Sequence, residues 1–249
     1  MGIMYRLAKL GFSQSYTYFT WRTFKVELTE YFEELAKSGV REFFRPNLWP
    51  NTPDILPEHL QTGGRPAFLC RLALAATLGA NYGIYGPAYE LCENVARERG
   101  SEEYLNSEKY ELKHRDLDAP WSLKDFIARV NQIRRENPAL QTDNNLRFHE
   151  TDNSQLICYS KVTGDFANII VSVVNLDPFQ AQSGWITLDL ASLGLTEDQA
   201  LQAHDLITDS RYLWQGPRNF VELNPQNSPA HILRIRKRIH SEADFDYYL

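Results

Sequence analysis

At 249 residues, with 43% hydrophobic and 12% aromatic content, the chain has the apolar surface of an ordinary folded protein and room for one large domain or two. Its formal net charge of −6, with no concentrated basic stripe, excludes nucleic acid or an anionic membrane as an electrostatic partner and points to small-molecule or neutral-polymer chemistry. No stretch approaches the ~18 apolar residues of a membrane span, and residues 1–7 lack the features of a secretory signal. Cys70, Cys92 and Cys158 show no paired or metal-binding spacing, so a cytoplasmic protein with reduced, mostly buried thiols is expected.

In chain order, residues 5–10, closed by Gly11, read as the last turns of a helix whose beginning precedes the chain. Residues 14–21 are dense in aromatic and β-branched side chains and predict a strand. Leu28, Tyr31, Phe32 and Leu35 then repeat at helical spacing in a helix over 24–37 that closes at Gly39. Residues 42–45 predict a second short strand, leading into a stretch over 44–56 that Pro46, Pro50 and Pro53 turn into ordered loop. Pro66 stands where a first helical position belongs, and Phe68, Leu69, Leu72, Leu74, Ala75 and Leu78 give a helix buried on more than one face.

Residues 82–86 predict a third strand, whereas 93–119 are charged and irregular and read as a long loop holding the compact group Ser107-Glu108-Lys109-Tyr110-Glu111. Residues 121–125 resemble a variant capping box, opening a helix through Phe126, Ile127, Val130 and Ile133 that Pro138 ends. Strands alternating with helices imply parallel α/β architecture. From about Leu146 the pattern changes to short β segments at 156–162, 168–175, 185–190, 203–208, 219–223 and 232–236, separated by Gly, Pro, Asn and Asp turns. Two domains follow, 1–142 and 143–249, the second a separate antiparallel β-sandwich.

The stretch Pro50-Asn51-Thr52-Pro53-Asp54 holds a carboxylate on a segment stiffened by proline, beside Trp49 and Asn51, which suits a sugar site; the alternative is a turn aspartate capping backbone amides. Gly63-Gly64-Arg65 before a helix start fits either an anion site or a tight turn, and it lacks the phosphate-loop signature. The six histidines, at 59, 114, 149, 204, 231 and 240, show no metal-ligand spacing and read as structural or surface residues, and no nucleophile motif of a hydrolase is present. No metal and no cofactor is expected.

Residues 4–22 (MYRLAKLGFSQSYTYFTWR), together with Pro50-Asn51-Thr52-Pro53-Asp54-Ile55-Leu56, Gly63-Gly64-Arg65-Pro66-Ala67-Phe68 and Gly83-Ile84-Tyr85-Gly86-Pro87, closely resemble the bacterial α-1,4-glucan:maltose-1-phosphate maltosyltransferases of the α-amylase superfamily, glycoside hydrolase family 13. The resemblance covers nearly the whole chain. It implies an α/β plus all-β fold, the last strands (about 6–8) of a (β/α)8 barrel followed by a β-sandwich, and retaining transfer of maltosyl from maltose 1-phosphate to an α-1,4-glucan. It also implies that Asp54 is the transition-state-stabilising carboxylate at the seventh barrel strand, and that Lys109 and Tyr110 contact the donor sugars.

The nucleophile and acid/base of that family lie on earlier strands, so the resemblance implies a C-terminal portion, inactive alone. Only about three of eight strands then fall within the chain, too few to close a parallel barrel, and the first should present an open edge and uncovered apolar surface. A family-like homodimer or a separate N-terminal half is the expected protein partner. The rival expectation is a non-catalytic glucan-binding or assembly module, with Trp49, Tyr110 and Trp214 as its sugar platform.

Overall fold

A computed structural model describes residues 2–237; His240 therefore lies outside the described residues. Strands and helices alternate through the first part: α1 (Gly2–Lys9), β1 (Ser15–Tyr16), α2 (Lys25–Lys37), β2 (Pro46–Leu48), α3 (Glu58–Leu78), β3 (Asn81–Tyr82), α4 (Gly86–Glu90) and α5 (Lys124–Glu136). β1 pairs in parallel with β2, and β2 with β3, as the alternation predicts.

The strands are shorter than their patterns suggest, for local reasons. Thr17 belongs to the β-branched run, but its Oγ1 accepts the Phe19 N–H at 3.4 Å and caps a 3-10 turn over Tyr18–Trp21, which ends β1 at Tyr16. Ser38 does the same at Val40, coiling Gly39–Glu42 and delaying β2 to Pro46–Leu48, where proline occupies the first strand position. The capping box does not form: Ser122 Oγ accepts the Lys124 N–H at 3.2 Å, and the α5 N-cap residue, Leu123, supplies no side-chain bond.

α3 breaks at Gly64 (φ 56°, ψ −158°), a backbone conformation that glycine alone tolerates, and Pro66 opens its second segment. From Ala67 to Leu78 every residue is buried. Its polar members are held: Arg71 donates to Phe19 O (2.5 Å) and Arg22 O (2.7 Å), and Thr77 Oγ1 bonds Tyr159 OH at 2.6 Å.

The second part is one antiparallel sheet of eight strands, β4 (Leu146–Thr151), β5 (Leu156–Val162), β6 (Ile169–Asn175), β7 (Gln182–Thr187), β8 (Ala200–Asp205), β9 (Arg211–Gln215), β10 (Arg218–Leu223) and β11 (Ala230–Lys237), in the order β10-β7-β4-β5-β6-β11-β8-β9. Where two sheets were expected, there is one that folds back on itself. β4 pairs with β5 through Leu146–His149 and with β7 through Glu150 and Thr151, so a single strand turns the corner. Cys158, Val171, Ile186, Leu201, Trp214 and Leu233 fill the space enclosed. Patterning does not single out β4, which carries Arg147, His149 and Glu150, or β9, which is exposed along most of its length.

The outer faces of β5 and β6 and the start of β11 are covered, whereas Arg236 further along β11 is exposed. Ile157, Tyr159, Val174 and Ala230 join Cys70, Leu74 and Leu78 of α3 in one core, so the two parts share their packing. Two of the histidines are structural: His149 is buried between Ser160 Oγ (2.7 Å) and the Asp189 N–H (3.2 Å), and His231 Nδ1 donates to the fully buried Asp205 at 2.9 Å.

Among the described residues β1 pairs with one neighbour, β2. Leu10, Phe12 and Tyr16, at and just before this strand, are exposed, as are Phe24 and Val26 at the start of α2.

At the seam between the parts, Lys161 is fully buried and donates from Nζ to Thr142 O at 2.7 Å. Burial pushes its amine down to about 7, only partly opposed by Asp143. The folded-state value lies below the unfolded one of 10.5, so the folded chain binds fewer protons between the two and stability rises with pH across that window. Lys161→Met is expected to raise stability below pH 7 and to flatten this rise relative to wild type, read from urea midpoints. Parallel wild-type and variant pH profiles contradict the assignment.

Candidate functional site

Because β1, β2 and β3 are parallel, the segments leaving their C-terminal ends emerge on one side of the small sheet. The segment after β2 carries Asp54, and it is braced from both neighbours. Thr20 Oγ1, after β1, donates to Trp49 O at 2.7 Å. The Trp49 ring lies 5.1 Å from Tyr16 and covers Gly83, where a Cβ would come within 2.6 Å of the indole. Asn51, fully buried, accepts the Tyr85 N–H at 2.9 Å and donates to Tyr104 OH at 2.7 Å.

Asp54 itself sits in a tight turn. Thr52 and Ile55 exchange backbone bonds of 3.1 and 3.2 Å, and Thr52 Oγ1 accepts the Asp54 N–H at 3.3 Å. Thr52 is thus the residue that caps this turn. Among the described residues no backbone amide donates to the Asp54 carboxylate, whose partner is the Lys109 ammonium. The geometry does not support the turn-capping alternative.

Lys109 and Tyr110 arrive on the long charged loop, which is tied to the Asp54 segment by Leu56 N–H to Glu102 O (2.6 Å) and by Gln61 Nε2, which donates to Leu56 O and Ser101 O. Glu103 gathers the group. Its Oε1 accepts from Tyr110 OH at 3.1 Å and Lys109 Nζ at 3.4 Å, while Oε2 pairs with Arg97 at 2.9 Å. A second bracket lies behind: Arg115 spans Glu93 (2.6 Å) and Glu108 (2.7 Å), and Tyr85 OH donates to Glu108. Asp54, Lys109 and Tyr110 therefore come together, with Glu103, Arg97 and Arg115 as members that sequence patterning does not reveal. Their partners lie six, seven and 22 residues apart on an irregular loop, with no helical or strand period to mark them.

The electrostatics follow the contacts. The hydrogen bond to Asp54, then its charge and that of Glu103, raise the Lys109 ammonium, and Arg97 and Tyr110 hold the Glu103 carboxyl down. Both groups stay charged at neutral pH. An exposed phenol ring, an ammonium and two carboxylates present donors, acceptors and a flat apolar face to solvent, which is the chemistry a sugar ring needs.

Of the proposed aromatic platform, Tyr110 is 69% exposed, but Trp214 is 6% exposed and Trp49 is packed within the loop bracing. Arg65 donates to Trp121 O, which fits the turn reading of the Gly63-Gly64-Arg65 run. Among the described residues no group of three or more His, Cys, Asp or Glu side chains is placed to hold a metal ion. No helix among them is long and apolar enough to cross a membrane.

Asp54→Asn is expected to lower the Lys109 pKa towards its ordinary value, and Glu103→Gln to lower it less, since Asp54 is the stronger partner. Titration of the chain with 13C-methylated lysines by NMR reads both. Equal or absent shifts contradict the pairing.

The family model described as "GLGE, C-terminal" matches residues 148–235. α-1,4-Glucan:maltose-1-phosphate maltosyltransferases from Chlorobaculum tepidum and Rhodospirillum rubrum are 51% and 52% identical to the chain, each over 94% of its length. That from Corynebacterium glutamicum is 52% identical over 92% of it. The chain spans about a third of the length of these curated relatives, 34–36%. The fold is similar to that of solved α-amylases. A noncanonic maltogenic α-amylase, AmyB from Thermotoga neapolitana, superposes with a TM-score of 0.58 at 14% identity, over 91% of this chain and 51% of that one. An Anoxybacillus α-amylase gives 0.60 at 12% identity, over 96% and 47%. In sequence, the chain corresponds to the C-terminal portion of the α-1,4-glucan:maltose-1-phosphate maltosyltransferases.

Proposed function

We propose that the chain supplies the sugar-orienting side of a maltosyltransferase site and the C-terminal β unit behind it, in the cytoplasm, with maltose 1-phosphate as donor and an α-1,4-glucan as acceptor. The observation that carries this reading is the convergence of Asp54, Lys109 and Tyr110 in a chain half identical to such enzymes. On this reading residues 1–142 are the last three strand–helix units of a (β/α)8 barrel, and residues 143–249 form the accessory domain.

In retaining transfer a carboxylate nucleophile displaces phosphate from the anomeric carbon, and a second carboxyl group first protonates the leaving oxygen and then activates the glucan hydroxyl. Asp54 takes neither role. It holds donor hydroxyls and offsets the positive charge that builds on the sugar ring, while Lys109 and Tyr110 fix the donor's position. Lys109 moves its ammonium from Asp54 to a sugar oxygen as the donor enters. The attacking and protonating carboxyls are the family's upstream pair, so residues 1–249 as a polypeptide are inactive alone.

The test is a chimera in which this chain replaces the matching C-terminal part of the Rhodospirillum rubrum relative. Phosphate release from maltose 1-phosphate is expected, with a loss of about 100- to 1,000-fold in kcat on Asp54→Asn, and a larger effect on KM than on kcat for Tyr110→Phe. Phosphate release by residues 1–249 alone, at a rate abolished by Asp54→Ala, contradicts the assignment, as does a chimera indifferent to Asp54.

A further inference from the structure

One carboxylate oxygen serves both Lys109 and Tyr110. Glu103 Oε1 accepts from Tyr110 OH at 3.1 Å and from Lys109 Nζ at 3.4 Å, while Oε2 holds Arg97 at 2.9 Å. The Arg97 guanidinium in turn lies 5.9 Å from the centroid of the Tyr110 ring. The same acid therefore holds the hydroxyl of that ring and, through Arg97, the cation over its face.

The two sides of this contact are not equally anchored. Glu103 belongs to a short stretch closed by an antiparallel bridge between Ala96 and Tyr104. Its carbonyl accepts the Arg97 N–H at 2.8 Å, and its own N–H donates to Ser101 Oγ at 3.0 Å. The next residue, Tyr104, is buried, and its hydroxyl accepts from Asn51 Nδ2 at 2.7 Å. Asn51 stands just before Asp54 in the chain, so the base of Glu103 is tied to the segment that carries Asp54. Lys109 and Tyr110, by contrast, sit on an exposed turn whose amides bond back to Ser107. Long side chains on such a turn sample many rotamers unless something fixed receives them, and Glu103 is the fixed member.

Among the described residues the Lys109 ammonium pairs with two carboxylates, Asp54 and Glu103. A carboxylate that turns to accept sugar hydroxyls gives up lone pairs that held the ammonium, so the second carboxylate is what retains it. We infer that Glu103 is a positioning residue of the donor site: it orients the Tyr110 ring and keeps the Lys109 ammonium in place when Asp54 releases it for the sugar. It acts through those two side chains and not on the reacting atoms. The inference rests on the functional reading above for the sugar, and on the shared oxygen for its geometry.

The test uses the chimera described above, assayed for phosphate release from maltose 1-phosphate. Glu103→Ala is expected to raise the donor KM about tenfold while kcat changes by less than about threefold. Glu103→Gln, which keeps an oxygen for Tyr110 but no charge for Lys109, is expected to fall between Glu103→Ala and wild type. Combined with Tyr110→Phe, Glu103→Ala should raise KM by less than the product of the two single effects, because both remove the same contact. An unchanged KM, a loss confined to kcat, or multiplicative effects overturn the positioning role. Should Glu103→Ala fail to fold, Glu103→Gln decides, and a KM within about twofold of wild type overturns it. A wild-type chimera that releases no phosphate defeats the functional reading, and the ordering by Glu103 is then judged in residues 1–249 alone. There a nuclear Overhauser contact between the Tyr110 ring and the Arg97 side chain is expected in wild type and lost in Glu103→Ala; its persistence in the variant overturns the inference.

Discussion

Everything in the described part of the chain hangs on α3. Twelve successive residues of its second segment have no wet side: Cys70, Leu74 and Leu78 share one core with β2 and the antiparallel sheet, and Phe68 and Leu72 share another with Leu56, Tyr89 of α4 and Tyr104. A helix in that position must solve two problems that an amphipathic surface helix does not have. Its few polar atoms need partners within the core, and its entry must be made without a solvent-facing cap. Arg71 solves the first by acting on a neighbour: its buried guanidinium, stacked 3.8 Å over Phe19, binds the carbonyls that end the turn after β1. Gly64 and Pro66 solve the second, one allowing the break and the other fixing the restart.

This arrangement joins the fold to the site. The turn that Arg71 secures carries Thr20, which holds Trp49, which in turn sets the start of the Asp54 segment. Rigid packing thus delivers a backbone, and the charged loop delivers side chains to it. The division has a physical cause. Surface ion pairs contribute little to stability individually, roughly 0–1 kcal/mol, so the Arg97, Glu103, Lys109 and Asp54 chain does not hold the fold. It orders four flexible side chains relative to one another, which on the proposed reading gives a sugar a site already arranged. Arg115, almost buried between two acids, is the member that fixes the loop itself.

Sequence legibility follows the range of the deciding interaction. The second segment of α3, α2, β5 and β6 are readable because one apolar face, or two, dominates each residue pattern. β1 and β2 are misjudged by a few residues because Thr17 and Ser38 each have two local options, and a side-chain cap wins over strand propensity. The single folded sheet in place of two is invisible because the corner in β4 is made by which partners it pairs with, and that is a long-range choice. At the site, Asp54 is legible from its proline-stiffened setting, while its roles and those of Lys109 and Tyr110 come from family resemblance. Glu103 is legible from neither, since nothing in a charged loop says which acid faces inward.

The account's central claim is that Asp54, Lys109 and Tyr110 form a sugar-recognition surface rather than a patch of solvated charges. Saturation-transfer NMR of maltose with residues 1–249 tests it most directly, with selective irradiation of the tyrosine rings. The account predicts transfer to maltose protons that is lost in Tyr110→Ala and in Asp54→Ala and retained in Trp185→Ala, whose ring lies on the distant β7. Transfer unaffected by Tyr110 and Asp54, or no transfer at maltose concentrations well into the millimolar range, would contradict it.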